Sequence, residues 1–289
     1  MREHDQKDNM VNVTSDFAER EAAIPSIASP HANDKLRWKL KIYGERNSGT
    51  NFLEQLMDHN LDAEVLKFLP GPLQTLALKM IRRERLLDIF LAADSSNTLG
   101  WKHGIPRESW LKETDMAPLL IVIVVKSPYA FLTSLYRKPY HYRGKLPTGF
   151  SEFLQSEWRL HSRDGLGRSL PNPVELWNRK HERWLQLKHE CGIPFETIRY
   201  ESLVAEPEKV LRDIHQRHDI PLLSKAFTPI TTSTKNAPKT IDDYREDVTQ
   251  KTYLEPYSGE DLDFIRSQLN PQLMETLGYN FESTITRSR

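Results

Sequence analysis

The chain has 289 residues, with Lys plus Arg and Asp plus Glu balanced at 40 each. A zero net charge excludes a generic polyanion binder, so any basic character has to be local. The single cysteine, Cys191, excludes an intramolecular disulfide and a cysteine-cluster zinc site, and reads as a small packed side chain. The longest apolar run, Ala117 to Val125, is far shorter than the roughly 18–20 residues a membrane span needs, and no apolar leader follows Met1. As written, the chain is expected to be soluble and cytoplasmic. Residues 1–35 are polar, without periodicity, and read as a disordered tail; one domain is expected over 36–283, with a short C-terminal tail at 284–289.

The first organised stretch is Lys39 to Leu56, K-L-K-I-Y-G-E-R-N-S-G-T-N-F-L-E-Q-L. Leu40 and Ile42 alternate with Lys39, Lys41 and Tyr43, the period of a strand that ends near Tyr43. A glycine loop follows, and Thr50 is placed to cap a helix whose apolar positions Phe52, Leu53, Leu56 and Met57 share a face. Strand, glycine loop, helix is a geometry that points backbone N–H groups and a helix N-terminus at one anion. The spacing Gly44 to Gly49 fits the first half of a G-x-x-x-x-G-K-[ST] loop, but Thr50 and Asn51 stand where the lysine and the magnesium-holding hydroxyl belong. That argues against magnesium-nucleotide phosphoryl transfer and leaves an anion cradle with Arg46 as its fixed cation.

Further along, Glu64 to Phe68 is a short candidate strand and Leu73 to Ala93 a helical pattern. Thr98 to Pro106 is expected to be a short strand running into a glycine turn, delivering Lys102 and His103 at its carboxyl end. Leu119 to Tyr136, L-L-I-V-I-V-V-K-S-P-Y-A-F-L-T-S-L-Y, opens with a β-branched run suited to a strand covered on both faces, hence to a parallel sheet between helices. Pro128 suits the start of the helix after it. Tyr136 to Ser151 interleaves aromatics with Arg137, Lys138, His141, Arg143 and Lys145 and holds no carboxylate. Asn172-Pro173 opens a long helix to about Cys191 with Trp177 and Trp184 in the core. Phe195 to Arg199 is the last main strand, Pro207 starts a helix, and a helix pair closes the chain.

The run R-N-S-G-T-N-F-L resembles the 5′-phosphosulfate loop of the sulfotransferases, which move a sulfuryl group from 3′-phosphoadenosine 5′-phosphosulfate (PAPS) to a hydroxyl or amine. Ser48, Gly49 and Thr50 match that loop, Phe52 stands where an adenine-stacking tryptophan is common, and Asn47 occupies the place of the family's basic residue. Lys126, Pro128 and Ser134 resemble the family's 3′-phosphate grip, with Lys for the commoner Arg. K-H-G-I-P resembles a K-x-H-x-P element whose His is the general base, and Y-E-S-L resembles the R-Y-E-D-L element whose tyrosine, here Tyr200, approaches the adenine.

The resemblance, closer to carbohydrate and bacterial-type members than to small-phenol ones, implies an α/β domain of three layers, α/β/α, around a parallel sheet with a phosphosulfate loop. It implies PAPS as cofactor and no metal. Tyr136 to Ser151, with Arg137 and Lys138, would flank the acceptor cleft of such an enzyme, and its interleaved aromatics and cations suit a carbohydrate acceptor already bearing negative charge; the zero net charge disfavours nucleic acid, and no apolar run is long enough for a membrane span. The catalytic residues it implies are His103, Lys102 and Arg46, with Glu64 as the alternative base. The cofactor would be held by Arg46, Asn47, Ser48, Gly49, Thr50, Asn51, Phe52, Lys126, Ser134 and Tyr200. Thr232 to Arg245, with Lys235, Lys239 and Arg245, falls where such enzymes fold a lid over the nucleotide. Two other readings stay open at this point: another P-loop transferase such as a small-molecule kinase, and a non-catalytic relative that only binds the nucleotide.

Overall fold

The computed structural model describes residues 37–67, 98–112, 118–140, 142, 144–231 and 239–283. The expected tails and the Leu73 to Ala93 helix lie outside the described residues. Among those described, the main sheet has four parallel strands in the order β2-β1-β3-β6, with β1 at Trp38–Gly44, β2 at Ala63–Val65, β3 at Leu119–Val125 and β6 at Phe195–Arg199. A two-residue antiparallel pair, β4 (Trp158–Arg159) and β5 (Ser169–Leu170), lies apart from it.

Strand β3 is central because all seven of its residues are buried, which requires cover on both faces. Leu119, Ile121, Ile123 and Val125 pack with Tyr43 of β1 against α3 (Pro128–Arg137), α4 (Phe150–Gln155), α5 (Pro173–Glu190), α9 (Gly259–Gln268) and α10 (Pro271–Thr276). Leu120, Val122 and Val124 join Leu40 and Ile42 on the other face, covered by α1 (Thr50–Asn60), α6 (Tyr200–Ala205) and α7 (Pro207–His218); α8 (Ile241–Thr249) lies against α6, and the short α2 is Glu108–Lys112. This is the expected α/β/α layering, and the period-2 pattern of β1 sorts its side chains between the two cores. Pro173 at the first turn of α5 follows an Asn172 side chain that accepts from the Glu175 amide at 3.0 Å, which fixes where that helix begins.

Residues 98–104 are not a strand, contrary to the sequence expectation; the segment is irregular. All but one of its carbonyls are taken by donors from outside the segment instead of by a sheet partner. The Lys41 ammonium donates to Thr98 O at 2.5 Å and Gly100 O at 2.6 Å, and the Tyr43 hydroxyl donates to Leu99 O. Gly44 N donates to Lys102 O at 3.0 Å. From the α5 side, Lys180 donates to His103 O at 2.7 Å and the Trp184 indole to Gly104 O at 3.2 Å. Trp101 O is closed internally by Gly104 N. Side-chain donors on β1 and α5 thus replace a ladder, and periodicity cannot reveal them.

Burial pushes the Lys41 amine down to about 7, with Glu54 raising it and Lys102 lowering it further. A neutral amine still carries two N–H bonds, enough for its two carbonyls. An amine whose folded pKa lies below its ordinary 10.5 penalises the folded state while charged, so stability rises as pH climbs from about 7. Denaturant unfolding at pH 7, 8 and 9 should show Lys41→Met losing an upward slope that approaches about 1.4 kcal/mol per pH unit in the wild type. Identical slopes in the two proteins would refute the buried neutral amine.

Candidate functional site

In the strand order β2-β1-β3-β6, the chain leaves β1 toward one edge of the sheet and β3 toward the other. An open parallel sheet binds ligands in the crevice outside the carboxyl ends of such a strand pair. Two turns border it here, residues 44–50 after β1 and residues 126–128 after β3.

The first turn is a tight one. Asn47 has φ 62° and Gly49 φ 89°, both left-handed, a region in which asparagine is several-fold enriched and glycine is unstrained. Gly49, not Thr50, is the cap of α1, and no side chain caps that helix. Its first amides therefore face the crevice without a side-chain acceptor. A Cβ on Gly44 would lie 2.7 Å from Ser48 Oγ and 2.8 Å from Val124 O, so only glycine allows the turn to fold back on β3.

The second turn meets the first. Lys126 Nζ donates to Ser134 Oγ at 2.9 Å and to Asn47 O at 3.3 Å, and it lies 4.5 Å from the centroid of the Tyr200 ring. Asn47 Nδ2 reaches the α3 carbonyls of Ser134 at 3.4 Å and Lys138 at 3.2 Å. The end of β3 is held by α5, whose Trp177 indole donates to Lys126 O at 2.9 Å. Glu201 fixes the same corner, accepting from Ser127 N at 2.9 Å and from the Tyr279 hydroxyl at 2.8 Å.

Asn47, Lys126, Ser134 and Tyr200 open onto one cavity of about 410 Å³. Its wall adds Arg137 of α3, the C-cap Lys138 and, from the segment Lys239 to Tyr253, Lys239, Tyr244 and Asp247. Lys239 pairs with Asp247 at 2.7 Å. Four cations against one carboxylate make this a local basic pocket on a chain of no net charge. Sequence reasoning missed Arg137 and Lys138 as cavity cations, having assigned them to the acceptor side; their spacing of three and four residues from Ser134 on one helix was the available signal. Arg245, the other described lid cation, turns away to Val204 O at 2.7 Å, and Lys235 lies outside the described residues.

The Arg46 side chain, expected to be the loop's cation, points the other way and is buried. It pairs with Glu45 Oε2 at 3.1 Å and Asp164 Oδ1 at 2.8 Å, in a cluster completed by Lys180, which lies 3.3 Å from Asp164 Oδ1 and 3.7 Å from Glu45 Oε1. Burial works against both charges of the Arg46–Asp164 pair, yet each other's field outweighs it: Lys180 and Arg46 hold the Asp164 carboxyl below its usual range, and Asp164 with Glu45 raises the Arg46 guanidinium. Burial draws the Lys180 ammonium down, opposed by Asp164 and Glu45. Ser48 also faces inward, its hydroxyl donating to Glu45 O at 2.6 Å.

Lys102 and His103 border the opposite flank of the loop. Lys102 Nζ donates to the Asn51 side-chain oxygen and to Glu54 at 3.0 Å, beside the N-terminus of α1. His103 Nδ1 lies 2.6 Å from Gly44 O. A carbonyl can only accept, so Nδ1 carries the proton and Nε2 is the basic nitrogen. Phe52 does not line the cavity; it is half-buried against the core that holds Tyr200. Glu64, the expected alternative base, is exposed and pairs in register with Lys39, near the opposite end of β1 from Gly44 and away from the loop. Of the carboxylates near the loop, Glu45 and Asp164 are buried behind it and Glu54 is the one bound to Lys102.

The structure is similar to three solved ones: the sulfotransferase domain from the curacin biosynthetic pathway (16% identity, 86% of this chain and 99% of that one, TM-score 0.47), a sulfotransferase from Alicyclobacillus acidocaldarius (15%, 84% and 97%, 0.41), and the sulfotransferase domain from the Synechococcus PCC 7002 olefin synthase (15%, 88% and 100%, 0.43). No protein-family model matches the sequence, and no curated protein matches it. Among the described residues, no helix is long and apolar enough to cross a membrane.

A Cβ on Gly49 would stand 2.8 Å from Tyr200 Cδ2, on a backbone at φ 89°. Gly49→Ala should therefore lower the melting temperature by roughly 2–8 °C, from left-handed strain alone of about 1–2 kcal/mol. An unchanged melting temperature would mean that Gly49 does not adopt the left-handed turn and that Tyr200 does not cover it.

Proposed function

We propose that the protein is a sulfotransferase that takes its sulfuryl group from PAPS. The observation that carries this reading is the Lys126 ammonium bonded at once to Ser134 Oγ and to Asn47 O. It joins two anion-binding turns into one crevice, as a nucleotide phosphorylated at both ends of its ribose requires. When bound, PAPS supplies a sulfuryl group on a phosphate leaving group.

Lys126 and Ser134 grip the 3′-phosphate, with Arg137, Lys138 and Lys239 adding charge around it. The loop at Asn47 to Thr50 and the uncapped start of α1 cradle the 5′ end. Tyr200 and Tyr244 line the nucleotide side. Lys102, already beside the α1 N-terminus, replaces Arg46 as the cation for the transferring group. His103 Nε2 takes the proton of the acceptor hydroxyl as its oxygen bonds to sulfur and the bond from sulfur to the leaving phosphate breaks. Preorganised donors of this kind are worth ~2.7–4 kcal/mol each in the transition state. The acceptor we assign is a saccharide that already carries negative charge, drawn by the exposed Lys145 beyond the cavity cations Arg137 and Lys138.

Calorimetric titration with 3′,5′-adenosine bisphosphate and with ATP, each with and without magnesium, tests the donor. The bisphosphate should bind more tightly than ATP and independently of magnesium. Lys126→Ala should weaken it at least tenfold, matching the ~1.5–3 kcal/mol of a charged hydrogen bond. Preference for magnesium-ATP, or full affinity in Lys126→Ala, would overturn the reading.

A further inference from the structure

Lys180 takes no part in the nucleotide crevice, yet its ammonium is fully buried and has a defined set of partners. It donates to His103 O at 2.7 Å and to Asp164 O at 2.7 Å, and it lies 3.3 Å from Asp164 Oδ1. Asp164 in turn holds the Arg46 guanidinium at 2.8 Å, and its carbonyl accepts Ile105 N at 3.2 Å. One ammonium thus touches the backbone of His103 and, through a single carboxylate, the side chain of the loop's Arg46.

We propose that Lys180 is a positioning residue: by holding the carbonyl of His103 against the buried Arg46–Asp164 pair, it sets the ring of His103 against Gly44 O with Nε2 as the basic nitrogen. The inference rests on the reading of His103 as the acceptor's base. Buried charge for its own sake would not need this contact. The Arg46–Asp164 pair is already neutral, and a hydrophobic side chain at 180 with a neutral one at 45 would satisfy the core equally well. What such a pair would not supply is a donor to His103 O. Without it His103 O loses the Lys180 donor, and the turn from Trp101 to Gly104 loses its α5 anchor at that residue.

Lys180→Met alone leaves two carboxylates against one cation and invites unfolding, so the test pairs it with Glu45→Gln, which keeps the cluster neutral; Lys180→Arg, which keeps both the balance and a donor at that position, is the control. The ring nitrogens of His103 are followed by 15N NMR, amide exchange is followed at Gly104 and Ile105, and 3′,5′-adenosine bisphosphate affinity is measured by calorimetry. Wild type and the control should show His103 protonated at Nδ1. The double variant should lose that tautomer in favour of a mixture and exchange at least tenfold faster at both amides, while its bisphosphate affinity stays within about threefold of wild type.

An unchanged tautomer and unchanged exchange in the double variant would reduce Lys180 to a core charge and overturn the proposal, as would a wild-type ring protonated at Nε2, which needs no variant to fold. Failure of wild type to bind the bisphosphate would instead sink the donor assignment, leaving the His103 measurement to be judged separately.

Discussion

Everything at the crevice depends on a neutral cluster of four buried charges, Glu45, Arg46, Asp164 and Lys180, lying directly behind the loop after β1. It ties together segments remote in sequence: the loop itself, the short turn at 162–164, helix α5 and, through the Lys180 bond to His103 O, the irregular stretch at 98–104. Charges so deeply buried persist because they are balanced and hydrogen-bonded. As a source of stability such a cluster is weak, since well-packed apolar groups would often do as well or better; removing one member alone, however, costs about 3–5 kcal/mol. Its value here is geometric. It fixes the back of the loop so that the front presents backbone amides and not a side-chain cation.

That arrangement divides the work between two flanks. On one side, Lys126, Ser134 and the amide of Asn47 lock the loop to α3. On the other, Lys102 and His103 lean on Asn51 and Gly44. The loop is the shared wall, and positive charge reaches it from outside on both flanks. Glu54 steadies Lys102 from the second turn of α1. Balanced overall charge is consistent with this, because the cations concentrate where the two turns meet.

Much of the fold was legible in the sequence. The unbroken β-branched run of β3, the alternation in β1, and prolines at the starts of α3, α5 and α7 are local signals, and the structure places those elements within a residue or two of expectation. The adjacency of the loop and Lys126 could be anticipated because both end strands that pair side by side. What could not be read is whatever depends on a partner far along the chain. Arg46 looked like a loop cation because Asp164, 118 residues later, carries no local mark of facing it. Residues 98–106 looked like a strand because Lys41, Tyr43 and Lys180 stand in for a ladder with side-chain donors. Glu64 looked available because strand register, which puts it beside Lys39, is not written in composition.

Asn47 stands where the resembled loop carries a basic residue, and its left-handed backbone gives that difference a meaning. Asparagine tolerates φ 62° and spends its amide on two α3 carbonyls. Lysine at 47 would meet backbone strain and forfeit both links, so restoring the expected charge would loosen the wall it was meant to arm. In this chain the cations beside the loop stand on neighbouring segments, Lys126 on one flank and Lys102 on the other, so the wall's charge is carried from outside it.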